Sequence, residues 1–114
     1  MAERAKRFAQ VEVRPDQQAF RKAVFMAYGG ICVVSGCDVP EALDAAHLEG
    51  RDWGQGHNTA ADGVLLRKDL HALYDRGLLR LTNGRVELDA CTRPHYAELN
   101  GAAARAPWHQ DESR

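Results

Sequence analysis

The sequence predicts a small α+β domain organised around residues 43–77. This stretch begins with a short apolar run that ends at His47, continues through a glycine-rich polar loop, and closes with a helical pattern over residues 64–76. Further along the chain, Asn83-Gly84 joins two runs of alternating apolar and polar residues, which is a strong signal for a β-hairpin. We expect an N-terminal helix, the hairpin and a short final helix to pack around the central strand, loop and helix.

Length and composition suit one domain without a membrane span. The chain has 114 residues, of which 45% are hydrophobic, and it carries a net charge of −1. No apolar run approaches the ~18 residues of a membrane helix, and the basic N-terminus lacks the apolar core of a secretory signal. The expected organisation is an arm over residues 1–13, a domain over residues 14–101 and a flexible tail over residues 102–114, located in the cytoplasm.

The charges are unevenly distributed along the chain. Residues 38–62 are acidic and contain Arg51 as their only lysine or arginine, whereas residues 1–22 and 65–85 are rich in lysine and arginine. Basic flanks around an acidic centre suit a phosphate ligand held over a divalent metal. Ordinary solvated charge explains the same pattern, so this observation gains weight only beside others.

Local patterns predict the elements before the centre. Phe20, Val24 and Tyr28 recur at helical spacing, so residues 17–28 are expected to form an amphipathic helix that the following glycines end. Residues 31–34 are a continuous apolar run typical of a buried strand. Residues 41–48 are interpreted as a second strand, although their alanines also allow a helix.

The central helical pattern carries two residues with metal-binding chemistry. His71 and Asp75 are four residues apart, so on a helix both side chains point to one side and can bind one ion. A surface ion pair is the alternative explanation for this spacing. His47 lies on the strand before the loop, and the loop glycines allow strand and helix to approach each other.

This order of elements fits the needs of phosphodiester cleavage. The reaction requires a general base with a pKa near neutrality, for which histidine is suited, and a Lewis acid for the phosphate. His47 and the pair of His71 and Asp75 can supply these functions from opposite sides of one phosphate. Each feature alone is also compatible with a purely structural role.

Three cysteines give no clear metal pattern. Cys32 and Cys37 are separated by four residues, and a zinc site would need Cys91, His95 or a partner chain to complete it. An odd number of cysteines does not suit a disulfide framework. We therefore expect buried or free thiols rather than a structural zinc site.

Taken together, the chain resembles HNH endonucleases of the ββα-metal type, in particular the subfamily of bacterial restriction and defence proteins. The resemblance covers about residues 14–101. The similar segments are QAFR at 18–21, YGGICVVSG at 28–36, DAAHL at 44–48, DGVLLRKDLHALYDRGL at 62–78 and YAELNG at 96–101.

The resemblance implies a role for each matching residue. His47 corresponds to the general base that activates water, and His71 corresponds to a metal ligand, with Asp75 as a further ligand. Asp62 stands at the position of the asparagine that braces the loop and orients the base. The candidates for phosphate contact are Arg67, Lys68 and Arg76.

Two positions depart from the family pattern. The residue before the base is often a metal ligand, but here it is Ala46, so another group must complete the metal shell, and Asp44 is one candidate. Asp62 accepts hydrogen bonds but cannot donate them as an asparagine amide does. It can instead approach the metal directly.

The resemblance implies an α+β fold with a ββα-metal (HNH) core, and a metal-dependent DNA endonuclease. Mg²⁺ or Mn²⁺ is expected because phosphate and carboxylate oxygens suit hard cations, while mixed histidine and carboxylate ligation leaves Zn²⁺ or Ni²⁺ as alternatives. DNA is the expected partner, with a homodimer or a separate targeting protein providing specificity. The alternatives are a catalytically silent nucleic-acid-binding module with the HNH fold, supported by Ala46 and Asp62, and a protein-interaction domain.

Overall fold

The computed structural model describes residues 2–10, 15–51, 53–56 and 58–104. Within these ranges the chain forms three α-helices and two antiparallel two-stranded sheets, which confirms the predicted α+β class. None of these helices is long and apolar enough to cross a membrane. The helices are α1 (Ala2–Ala9), α2 (Pro15–Ala27) and α3 (Lys68–Asp75), and the strands are β1 (Leu43–His47), β2 (Gly63–Arg67), β3 (Leu79–Thr82) and β4 (Arg85–Leu88).

The centre of the molecule is the β1–β2 sheet with α3 directly after it. The two strands run antiparallel, with Leu43 opposite Arg67 and His47 opposite Gly63. α3 begins at the residue after β2. Because the last residue of β2, Arg67, pairs with Leu43, α3 packs against the sheet near the beginning of β1. The order strand, loop, strand, helix is the ββα arrangement expected from the sequence.

The predicted helix over residues 64–76 is wrong in its first part. Residues 63–67 form β2, and only residues 68–75 are helical. Val64, Leu65 and Leu66 are fully buried, so this continuous apolar run has apolar surroundings on both faces of the strand. Such a run fits a buried strand and a buried helix equally well by pattern, and pairing with β1 decides between them.

The predicted N-terminal helix is confirmed as α2, which packs on the central sheet. Its Phe20 and Val24 are buried against Gly63 on β2. A Cβ atom at Gly63 would lie 2.5 Å from Cγ2 of Val24 and 2.8 Å from Cζ of Phe20, so glycine allows the close approach of helix and strand. The hydroxyl of Tyr28 also donates a hydrogen bond of 3.0 Å to the Gly63 carbonyl oxygen.

Residues 2–9 form helix α1 rather than a loose arm. Phe8 is buried and its ring stacks on that of Phe25 in α2, with 4.6 Å between the ring centroids. The guanidinium of Arg21 lies 4.1 Å from the centroid of the Phe8 ring on its other side. The remainder of the predicted arm, residues 11–13, lies outside the described residues.

The strand predicted over residues 31–34 is absent, and the chain turns there instead. The Cys32 amide donates to the Cys37 carbonyl at 2.9 Å, and Gly36 adopts a positive φ of 77° that lets the loop close. The amides of Ser35 and Arg67 both donate to the Cys32 sulfur at 3.3 Å. The three cysteines are free thiols.

The predicted hairpin is confirmed. β3 and β4 pair with Leu79 opposite Leu88, and Asn83 and Gly84 both have positive φ, at 53° and 75°. These values match a turn with two left-handed residues, for which Asn-Gly is the favoured pair.

The segment after the hairpin differs from the prediction in two ways. Two 3-10 turns, Arg93–His95 and Ala97–Leu99, replace the predicted short helix. The expected tail begins with a packed segment, because the Ala104 amide donates to the Gly84 carbonyl at 2.7 Å and Ala104 is buried. Residues 105–114 lie outside the described part of the chain.

Candidate active site

One cavity brings together the ends of the elements that carry the candidate residues. His47, at the end of β1, and Asp75, at the end of α3, line the same cavity of about 310 Å³. Its other charged or titratable lining residues are Glu49, Arg51, Tyr74 and Arg80. A larger cavity of about 540 Å³ between α1 and α2 is mostly apolar, and neither His47 nor Asp75 lines it.

The His47 imidazole is held on two sides. Its ring stacks on Phe20 of α2, with 4.1 Å between centroids and 6° between planes. Its Nε2 atom lies 3.0 Å from the side-chain oxygen of Asn58 in the loop. The stacking follows from the packing of α2 on Gly63, which lies opposite His47 in the sheet. The histidine is therefore oriented by both the helix and the loop.

His71 lies between two carboxylates. Its Nδ1 atom is 2.7 Å from Oδ2 of Asp44 on β1, and its Nε2 atom is 3.1 Å from Oδ2 of Asp75. The hydrogen bond to Asp44 is the largest of the effects that raise the pKa of His71, and burial opposes it. The predicted proximity of His71 and Asp75 on one face of α3 is observed in the structure.

Asp44 is surrounded by positive charge. In addition to His71, its carboxylate accepts a hydrogen bond of 2.7 Å from buried Arg21, and the Lys68 ammonium lies 3.8 Å away. Burial acts to raise the pKa of Asp44, but the His71 hydrogen bond and these charges outweigh burial and place the pKa below its ordinary value. Asp44 is therefore ionised at neutral pH and holds His71 through Nδ1.

The donors around His71 fit a partial rather than a closed metal site. Among the described residues, no group of three or more His, Cys, Asp or Glu side chains is arranged to hold a metal ion. His71 Nε2 and the Asp75 carboxylate are nevertheless adjacent, and Asp44 holds the opposite nitrogen as a carboxylate does behind many metal-binding histidines. Two protein donors would leave the other positions around a divalent ion to water and substrate oxygens.

Asp62 acts on the loop. Its Oδ2 atom accepts hydrogen bonds from the amide and hydroxyl of Thr59, at 3.0 and 2.8 Å, and its Oδ1 atom lies 3.2 Å from Nε of Arg51. The side-chain amide beside the His47 ring belongs to Asn58, four residues earlier, rather than to the residue at position 62. Asp62 therefore contacts the loop, whereas the side-chain amide in contact with His47 is that of Asn58, which the sequence does not predict.

The basic residues predicted to contact phosphate are not those that line the cavity. Arg67 forms a two-point ion pair with Asp69, at 2.7 and 3.1 Å, and Lys68 faces Asp44. Arg76 is exposed at the end of α3. The cavity is instead lined by Arg51 and Arg80.

Sequence signals for these missed residues are uneven. Arg51 is the only lysine or arginine in the acidic segment 38–62, and this isolated positive charge is a sequence signal for a phosphate contact. Arg80 alternates with Leu79 and Leu81 in β3, so its outward direction was predictable but the cavity it faces was not. Asn58 has no comparable signal, because its contact with His47 depends on the path of the loop.

The strand–loop–strand–helix order, with one histidine on β1 and another on α3, defines a domain of the ββα class. Residues 32–82 match the family model described as HNH endonuclease. The matched segment spans β1, the loop, β2, α3 and β3, and so includes His47, Asp62, His71 and Asp75. The match supports the HNH family, whose members generally use a divalent metal and act on DNA, and it supports nuclease activity in general terms. The search of curated proteins gave no match.

Proposed function

We propose that this protein is a metal-dependent DNA endonuclease that hydrolyses phosphodiester bonds with His47 as the general base. The observation that carries this proposal is the shared cavity, in which an imidazole and a carboxylate of the His71–Asp75 pair stand beside two arginines. A base, a place for a Lewis acid and positive charge for a phosphate are the groups that the reaction needs.

His47 takes the proton from the attacking water in this proposal. The stack on Phe20 and the contact with Asn58 hold the plane and the orientation of the ring before substrate binds, which reduces the reorganisation needed in the reaction.

His71 Nε2 and the Asp75 carboxylate are the proposed metal ligands. A divalent cation bound there supplies Lewis-acid stabilisation of charge on the phosphate. His71 must be unprotonated at Nε2 to bind a metal, while its Nδ1 keeps the hydrogen bond to Asp44. Mg²⁺ or Mn²⁺ is proposed because the donor set is small and leaves positions for water and phosphate oxygens.

Arg51 and Arg80 are the proposed contacts of the scissile phosphate. Both line the cavity, and Asp62 holds Arg51 at its edge through a 3.2 Å ion pair. Lys68 and Arg76 remain proposed contacts for phosphates farther along the DNA, whereas Arg67 is engaged by Asp69. A cytoplasmic role in restriction or defence, and a homodimer or targeting partner, remain predictions from the sequence.

A catalytically silent nucleic-acid-binding module is the second candidate. Ala46 is buried and carries no ligand atom, and Asp62 stands where the family has asparagine. If two protein donors do not retain a metal, the fold and the arginines would still bind DNA.

One experiment separates the two candidates. Supercoiled plasmid is incubated with the full chain in Mg²⁺, Mn²⁺ or EDTA, beside His47→Ala and a control variant His95→Ala, which changes an exposed histidine that does not line the cavity. The endonuclease predicts metal-dependent cleavage that His47→Ala abolishes and His95→Ala retains. DNA binding without cleavage in any metal would favour the silent module, and cleavage that survives His47→Ala would exclude His47 as the base.

A further inference from the structure

The contact between Asn58 and His47 has a chemical consequence for the catalytic base. The side-chain oxygen of Asn58 lies 3.0 Å from Nε2 of His47, and both side chains are partly buried. An amide oxygen only accepts hydrogen bonds, so Nε2 must carry the proton of the neutral ring. The ring's lone pair then lies on Nδ1.

We propose that Asn58 is a positioning residue that fixes the His47 tautomer, so that Nδ1 is the atom that accepts the proton from water. The catalytic consequence rests on the proposed endonuclease function, whereas the tautomer itself does not. The backbone at Asn58 supports this role, because its N–H group donates a hydrogen bond of 2.9 Å to the Gly56 carbonyl and so restrains the residue that carries the side chain. The nearby brace between Thr59 and Asp62 anchors the next residues.

Phe20 and Asn58 act on different degrees of freedom of the same ring. The parallel stack on Phe20, with 6° between planes, holds the plane of the imidazole. A rotation of about 180° about the bond that joins the ring to Cβ would keep the ring plane and the stack, but it would exchange the sides on which the two nitrogens lie. The amide of Asn58 distinguishes the two orientations because it offers an acceptor to Nε2. The helix sets the plane and the loop sets the orientation and tautomer.

The opposite orientation of the Asn58 amide makes the opposite prediction. An amide nitrogen in place of the oxygen would donate to Nε2, and the proton would move to Nδ1. Measuring the tautomer of His47 therefore tests this inference directly. The charged and titratable groups that line the same cavity are Glu49, Arg51, Tyr74, Asp75 and Arg80.

The test is nitrogen NMR of the histidine rings in the ¹⁵N-labelled full chain, with the His47 signals assigned by their loss in His47→Gln. In its neutral form, His47 of the wild-type protein is expected to carry its proton on Nε2. Asn58→Ala is expected to give a mixture of tautomers, whereas Asn58→Asp is expected to keep the proton on Nε2, because a carboxylate accepts but does not donate a hydrogen bond. The control Thr59→Ala weakens the loop brace without removing the amide, so the His47 tautomer should stay as in the wild type.

Cleavage assays add the catalytic consequence. Asn58→Ala should lower kcat by about 10- to 100-fold, the size of effect known for the loss of a partner that orients a metal-binding histidine, and Asn58→Asp, which keeps an acceptor for Nε2, should lower it less. A wild-type His47 protonated at Nδ1, or a tautomer ratio that Asn58→Ala leaves unchanged, would overturn the inference. If the tautomer follows Asn58 but the wild-type protein cleaves no DNA, the proposed function fails while the assignment of Asn58 stands.

Discussion

Oδ2 of Asp44 accepts a hydrogen bond of 2.7 Å from Nδ1 of His71, which links β1 to α3 across the centre of the domain. The same carboxylate binds buried Arg21 of α2 through its other oxygen. One side chain therefore connects the strand to both helices that cover it, and it orients the proposed metal ligand. We expect Asp44 to contribute to both stability and metal binding.

Asp44→Asn should destabilise the fold by about 1–3 kcal/mol, the cost of leaving partly buried charged donors without a charged acceptor. The amide retains one oxygen acceptor but loses the negative charge that faces Arg21 and His71. Urea unfolding followed by circular dichroism measures the change. The control is Glu41→Gln, which makes the same chemical change in the exposed ion pair with Arg7 and should cost much less. Equal losses in the two variants would show that the Asp44 contacts add nothing beyond a surface pair.

The Asp44–His71 pair also predicts how stability depends on pH. The pKa of His71 is raised by its hydrogen bond to Asp44, so the contribution of His71 is complete below its unfolded value of 6.5 and is lost as pH rises through the higher folded value. The pKa of Asp44 lies below its ordinary 3.8, because its charged partners outweigh burial, so its contribution is lost only in stronger acid. The pair therefore stabilises the fold most at pH values between the unfolded pKa of Asp44, 3.8, and the unfolded pKa of His71, 6.5.

Urea unfolding in EDTA at several pH values from about 5.5 to about 8.5 tests this expectation, because this window surrounds the titration of His71, whose pKa is raised from 6.5. The free energy of unfolding should fall over the upper half of this window in the wild type. His71→Gln should remove that fall, since it removes the titrating group. A variant that declines as steeply as the wild type would show that another group causes the dependence.

Gly63→Ala should be destabilising by about 1–3 kcal/mol, as for other overpacked sites. Its new Cβ would lie 2.5 Å from Val24 and 2.8 Å from Phe20, so α2 must shift away from β2. The shift should also weaken the stack of Phe20 on His47, which the ring-current shift of the His47 protons reports. The double variant Gly63→Ala with Val24→Ala should lose less than the sum of the single losses. Additive losses would mean that the two positions do not share this contact.

How far the sequence predicts this structure depends on how local each feature is. The Asn83-Gly84 turn and the spacing of His71 and Asp75 need only a few neighbouring residues, and both are found as predicted. The limits of β2 depend on pairing with a strand twenty residues earlier, so a purely local pattern extended the helix to residue 64. α1 is similarly decided by the stack of Phe8 on Phe25, a contact between two helices.

In the candidate site, too, the sequence predicts local features better than contacts between distant residues. The positions of His47, His71 and Asp75 come from the order of elements, so the sequence anticipates their proximity in part. The partners that orient them do not have sequence patterns: Asn58 reaches His47 because of the loop path, and Asp44 reaches His71 because α3 crosses β1. The charge of Arg51 stands out in its acidic segment, but its direction is set by the ion pair with Asp62.

The phosphate contacts offer a direct comparison between sequence and structure. Arg67 is a candidate from the sequence, but its guanidinium is engaged by Asp69 at 2.7 and 3.1 Å, whereas Arg80 lines the cavity with His47. We expect Arg80→Gln to lower kcat/KM for DNA cleavage by about 10- to 100-fold, as for loss of a hydrogen bond to a charged group of about 1.5–3 kcal/mol. It should also reduce the slope of log Kd against log salt by about 1.

Arg67→Gln is the matched variant, because it makes the same substitution and removes the same charge from the molecule. Its effect on cleavage should be much smaller, since the charge of Arg67 is already balanced by Asp69, and its salt slope should stay close to that of the wild type. Fluorescence anisotropy with a labelled duplex at several salt concentrations measures both slopes. If the two variants lose activity equally, the cavity is not the only place where phosphate is held, and Arg67 must exchange Asp69 for DNA on binding.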